Sequence, residues 1–192
     1  MEVLNNRIND TCKLPSPRKI EVKKVWWGKG KIKSIISYKD DYLHGEFMEW
    51  YPNGQLTRRC NYKDDKKDGS LEEWYPNGQI ARRTNYKDGR EEGPFESWWE
   101  NGMIFQRGNN KNGQLDGVNE EWDKNGKLHW RKHFENGKLN GLLEVWHSKG
   151  QIERRANYKD GKLDDLYEEW DDKGNLMVQE SYKNGEKMVS KR

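Results

Sequence analysis

The chain has 192 residues, of which 36% are charged and 31% hydrophobic, and its formal net charge is only +3. Such a composition excludes one large apolar core, and the lack of any run near eighteen apolar residues excludes a membrane-spanning helix. Low hydrophobicity with high charge would ordinarily read as disorder, but seven of the ten tryptophans are held at strict spacing, which a disordered chain has no reason to do.

In chain order, residues 1–24 come first. They lack the apolar stretch of a secretory leader, carry Pro15 and Pro17, and fall outside any repeat. They are expected as an N-terminal tail or cap, and the protein as cytoplasmic. Up to Ser37 the chain holds nine Lys or Arg against three Asp or Glu, so this leading segment is basic and the remainder weakly acidic.

From residue 25 to 192 one unit recurs about seven times. Trp26, Trp50, Trp74, Trp98, Trp122, Trp146 and Trp170 stand 24 residues apart, and Gly30 through Gly174 keep the same step. Leu or Ile follows two residues after each of these glycines. An aromatic column at Tyr38, Tyr62, Tyr86, Phe134, Tyr158 and Tyr182 fails only at Asn110. Within a copy, a run from Glu46 to Tyr51 meets Pro52-Asn53-Gly54, and a second run goes from Gln55 to Lys63. Asn-Gly tolerates positive φ and signals a hairpin turn. Further glycine pairs, Gly89 with Gly93, Gly113 with Gly117 and Gly137 with Gly141, end one hairpin and start the next. The expected fold is therefore all-β: an elongated antiparallel meander of about fourteen strands, two per copy.

A turn at Asn53-Gly54 pairs Tyr51 with Leu56, Trp50 with Thr57, Glu49 with Arg58 and Met48 with Arg59. One repeat further on, the same register sets Glu72 opposite Arg83, then Glu96 opposite Arg107, Glu120 opposite Arg131 and Glu144 opposite Arg155. These charge ladders share a face with the tryptophans and read as structural. The other face carries Phe47, Leu71, Phe95, Leu143 and Tyr167, with Leu56 and Tyr62 and their equivalents.

The phrases YPNGQL, NYKDGR, NGKLNG and NYKDGKL resemble the MORN-repeat variant of bacterial antitoxins of the YwqK type, over residues 26–187. Asp41, Asp65, Asn110 and Asp165 depart from that pattern. The resemblance implies an elongated antiparallel sheet. It also implies an antitoxin or immunity protein that binds a cognate protein toxin and occludes its surface, and a weakly acidic array suits a basic partner. A MORN-type scaffold on a membrane surface, or one assembling other proteins, is the alternative. For membrane binding the chain has the basic leading segment but no dense Lys/Arg cluster or lipidation signal. Nucleic-acid binding through Trp, Tyr and Arg is a second alternative, weakened by the Glu ladder that faces the Arg ladder.

No enzyme, cofactor or metal is expected. Phosphate loops, nucleophile elbows and Cys-x-x-Cys are missing from the sequence, and the carboxylates recur in every copy, whereas a catalytic pair would occur once. His129 and His133, four apart on a strand, are about 13 Å from each other and cannot share a metal. Cys12 and Cys60 are expected as reduced thiols. The partner-binding residues are sought where central copies break the columns, at Trp99, Phe105, His129, Trp130 and His133. Aromatic side chains beside arginine are what interface hot spots are made of.

Overall fold

A computed structural model describes residues 19–189. The strands of the first half are β1 (Glu21–Gly28), β2 (Lys31–Lys39), β3 (Tyr42–Trp50), β4 (Leu56–Lys63), β5 (Lys66–Trp74), β6 (Ile80–Lys87), β7 (Arg90–Glu91), β8 (Gly93–Trp98) and β9 (Ile104–Lys111). The second half holds β10 (Gln114–Leu115), β11 (Gly117–Trp122), β12 (Leu128–Glu135), β13 (Lys138–Trp146), β14 (Ile152–Lys159), β15 (Lys162–Trp170), β16 (Leu176–Lys183) and β17 (Glu186–Lys187). All pairings are antiparallel, and all but β6 with β8 and β9 with β11 join chain neighbours, which makes one open meander with β1 and β17 outermost. The fold is all-β, as the repeat spacing predicts.

The strand count exceeds the expected one because two lanes are broken and a copy is begun at the end. β7 and β8 both pair with β6, and β10 and β11 both pair with β9. At the breaks the chain stays attached through Glu92 N–H to Asn85 O and Asp116 N–H to Asn109 O, each 2.9 Å. Cys12 and most of the expected tail lie outside the described residues.

The two ends of each hairpin use different turns. At Asn53-Gly54 only Gly54 takes a positive φ, +91°, while Tyr51 N–H bonds Gln55 O at 2.8 Å and Gly54 N–H bonds Tyr51 O at 2.9 Å. This is a type I turn closed by a glycine bulge, and its twist suits the flanking strands. The register then shifts once. Trp50 lies opposite Leu56 and Glu49 opposite Arg58, leaving Thr57 as the inserted residue. The expected Tyr51–Leu56 and Trp50–Thr57 pairs therefore do not form, and Leu56 joins the tryptophan side. From Glu49 inward the expected register holds.

The two-residue turn with both φ positive sits at the other end, as at Asp88 (+50°) and Gly89 (+84°). Asp41 and Asp65 adopt the same conformation as the glycines they replace, at +67° and +65°. Asp165 likewise takes φ +87° where Gly141 has +110°. A side chain in this region is strained by about 1 kcal/mol, so Asp165→Gly is expected to raise stability by roughly that amount. A higher urea midpoint at unchanged slope would show it.

The core is a single row on the face away from the tryptophans. Large residues of each first strand alternate with small ones of the next: Phe47, Cys60, Leu71, Thr84, Phe95, Gly108, and later Leu143 and Ala156. Cys60, Leu71, Thr84 and Ala156 are all but inaccessible. Alternation lets one thin layer fill without voids. Burial pushes the Cys60 thiol above its ordinary pKa and keeps it protonated. The failure of the aromatic column at Asn110 also has a cause. Asn110 Nδ2 donates to Glu91 Oε2 at 2.8 Å, and Glu91 Oε1 accepts from Arg82 (2.5 Å) and the Tyr86 hydroxyl (2.8 Å). Burial and this acidic neighbour push the Tyr86 hydroxyl up to about 12.

Candidate protein-binding face

On the tryptophan side the two predicted ladders merge into one row. Arg59, Glu72, Arg83, Glu96, Arg107, Glu120, Arg131, Glu144, Arg155 and Glu168 are successive cross-strand partners, so charge alternates from β4 to β15. Glu72 takes Arg59 at 2.7 Å and Arg83 at 3.2 Å, and Glu120 takes Arg107 at 2.7 Å and Arg131 at 2.8 Å. Each of Arg83, Arg107, Arg131 and Arg155 also lies over the tryptophan ring of the following copy, 5.1–5.8 Å from its centre. Exposed pairs of this kind contribute about 0.2–1 kcal/mol each, so the row fixes register more than it adds stability. Glu120 differs in being buried, its side chain 6% exposed. Burial pushes its carboxyl upward, but the hydrogen bonds and charges of Arg131 and Arg107 outweigh that and hold it below the usual carboxylate range.

The row is interrupted in its middle. Glu96 has no hydrogen-bond or ion-pair partner among the described residues, because Arg83 and Arg107 turn their Nε groups away to Glu72 and Glu120. A groove of about 550 Å³ opens there, lined among others by Arg83, Asn85, Pro94, Glu96, Arg107, Asn109 and Val118. Val118 is 42% exposed, and Arg83 and Arg107 are 54% and 56% exposed. The groove thus offers an unpaired carboxylate between two guanidinium groups with free Nη donors, beside an apolar rim. Its sequence signal lies in one column, where Pro94 and Val118 stand in places held by Glu46 and Ser70.

The five residues predicted from sequence do not form one patch. Trp99 and Phe105 are in contact, their rings tilted at 59° with centres 4.5 Å apart. Trp99 Nε1 donates to Trp122 O at 3.1 Å, as the Tyr51 and Tyr75 hydroxyls and Trp27 Nε1 donate to the same carbonyl of their following copies. Trp99 is therefore a staple between copies. Trp99→Ala is expected to lower stability by about 2 kcal/mol, read as a lower urea midpoint. His129 is exposed and 3.1 Å from Glu121. Trp130 pairs with Glu121 on the core side, with Lys132 Nζ 4.1 Å above its ring. His133 pairs with Val118 on the ladder side, its Nδ1 2.9 Å from Leu142 O. Among the described residues no three His, Cys, Asp or Glu are placed to hold a metal, and no helix is long and apolar enough to cross a membrane.

The sequence pattern of the MORN repeat variant matches residues 43–64, 67–88, 139–160 and 166–184. These four stretches are similar to the MORN repeat variant. Each match covers one hairpin or most of one, such as β3 with β4 or β13 with β14. The stretch between the second and third MORN matches contains both broken lanes, Gly108, Asn110 and all of the groove except Arg83 and Asn85. The groove therefore lies where the chain leaves the MORN pattern. No curated protein matches the chain.

Proposed function

We propose that this MORN-repeat scaffold is an antitoxin or immunity protein, which neutralises a cognate protein toxin by covering its active surface with the central part of the ladder face. The observation that carries the reading is Glu96, a carboxylate left unpaired between Arg83 and Arg107 in a row whose other glutamates all have hydrogen-bond or ion-pair partners. A scaffold with no partner there would gain by closing that gap. The fitting partner surface is basic, placing a Lys or Arg at Glu96 with acceptors on either side for the guanidinium Nη groups. Arginines stacked on Trp98 and Trp122, with Val118 beside them, supply the aromatic and apolar anchors of a hot spot. A rigid repeat array adds contact area along the same face.

The full chain used as bait in its native cell is expected to retain one protein, in stoichiometric amount, through moderate salt. Expression of that protein alone arrests growth, and co-expression of this chain relieves the arrest. Recovery of lipid or nucleic acid alone, lost as salt rises, would refute the reading.

A further inference from the structure

Among the described residues, nine of the twelve exposed large apolar side chains lie at the two edges of the sheet. Ile20, Val22, Val25, Trp26 and Trp27 are on or beside β1, and Leu176, Met177, Met188 and Val189 are on or beside the last lanes. β1 pairs only with β2, and every one of its residues is exposed. At the opposite edge β17 covers only part of β16, pairing Lys187 with Tyr182 and Glu186 with Lys183. The backbone of the other part, from Leu176 to Glu180, has no outer strand among the described residues, and only the Glu180 side chain is reached from β17, by Lys187 Nζ at 2.6 Å.

We infer that the two edges are complementary, and that one copy's β1 adds to the open part of the preceding copy's β16, joining chains head to tail. The repeat itself sets the register. At the junction of β14 with β15, Arg154 lies opposite Glu169, Arg155 opposite Glu168 and Ala156 opposite Tyr167. Trp26 belongs to the column of Trp170, so Val25, Lys24 and Lys23 stand in the columns of Glu169, Glu168 and Tyr167. Continued by one repeat, the same register sets Val25 opposite Val178, Lys24 opposite Gln179 and Lys23 opposite Glu180 of the other copy. β17 does not obstruct this. Met188 N–H bonds Ser181 O at 2.7 Å, and in repeat columns Val189, the last described residue, corresponds to Glu21, so the pairs of Lys23, Lys24 and Val25 fall beyond the stretch of lane that the described residues fill.

The chemistry agrees with the register. Two valines meet, Trp26 comes beside the exposed Leu176 and Met177, and Lys23 approaches Glu180, the one glutamate of β16, which Lys187 also bonds at 2.6 Å. Backbone pairing of two open edges supplies the rest of the affinity. The contact is heterologous, so each joined pair still presents one free edge of each kind and the chain of copies continues.

The test uses the full chain in sedimentation velocity over a concentration series, with Val25→Glu and Val178→Glu as variants. Both sites are at edges, so neither change buries a charge in the core. The wild type is expected to sediment as species that grow past the dimer as concentration rises. Each variant alone is expected to remain a monomer, with association weakened at least about tenfold. An equimolar mixture of the two is expected to stop at a dimer holding one copy of each, because one variant keeps an intact β16 edge and the other an intact β1 edge. Pairing Val25→Glu with Val178→Lys is expected to restore growth past the dimer, because the two introduced charges then meet at the second junction. A wild type that stays monomeric throughout overturns the inference, and so does Val178→Glu forming its own dimer, which would mean that β1 pairs with β1.

Discussion

Gly108→Ala is expected to destabilise the protein by about 2 kcal/mol, and Phe95→Leu in the same chain to recover most of that loss. Gly108 lies opposite Phe95 in the core row, and its φ is not positive, so backbone freedom is not the reason for glycine. Space is the reason. A Cβ there would stand 2.9 Å from two ring carbons of Phe95 and 2.7 Å from Asn119 Nδ2. The neighbouring copies show the alternative solution, Leu71 opposite Thr84 and Leu143 opposite Ala156. The double variant recreates the second of these pairs. Phe95→Leu alone leaves a gap over the glycine and is expected to cost about 1–2 kcal/mol. Urea unfolding of the four proteins should therefore close on a favourable coupling above about 1 kcal/mol. Simple additivity would show that the two positions do not share the space.

Glu120→Gln is expected to lower stability by about 1.5 kcal/mol at neutral pH and by progressively less in acid. Glu120 is the buried acceptor of both Arg107 and Arg131, and the glutamine amide keeps an acceptor while losing the charge. The exposure of both arginines keeps the effect below that of a fully buried pair. Because the folded carboxyl is held below its unfolded value of about 4.3, its contribution is fully present above that pH. It is lost as pH falls through the lower, folded value. Unfolding at pH 7 and near pH 3 should show the gap between wild type and variant closing in acid. A gap that persists would mean that the ladder acts through packing and not through charge.

The hairpin repeat, the strand direction and the register from Glu49 inward were legible because period and charge pairing both depend on side-chain identity alone. The turn bulge was not. Asn-Gly favours several hairpin turns, and the choice here rests on Gly54 alone taking positive φ while the Asn53 side chain bonds Gln55 N–H at 3.0 Å and Pro76 O at 2.9 Å. The second of those contacts comes from the next copy, which no local reading of one hairpin contains. The same holds for the site. Trp99 departs from Tyr51 and Tyr75 in residue type yet makes their bond, so a break in a column did not mark a free surface. The groove arises from arginines choosing one of two flanking glutamates, a choice that a period of 24 residues does not encode.

The two sides of the sheet offer distinct surfaces, Glu96 in the ladder groove and Trp130 on the core side, and they are separable by one measurement. It is the dissociation constant of the captured partner protein for the full chain, for Glu96→Arg and for Trp130→Ala, by calorimetry. Covering by the ladder face predicts a loss of at least about a hundredfold for Glu96→Arg and a change within about threefold for Trp130→Ala. Unchanged affinity in Glu96→Arg, with binding lost in a folded Trp130→Ala, would contradict it and move the partner to the opposite face.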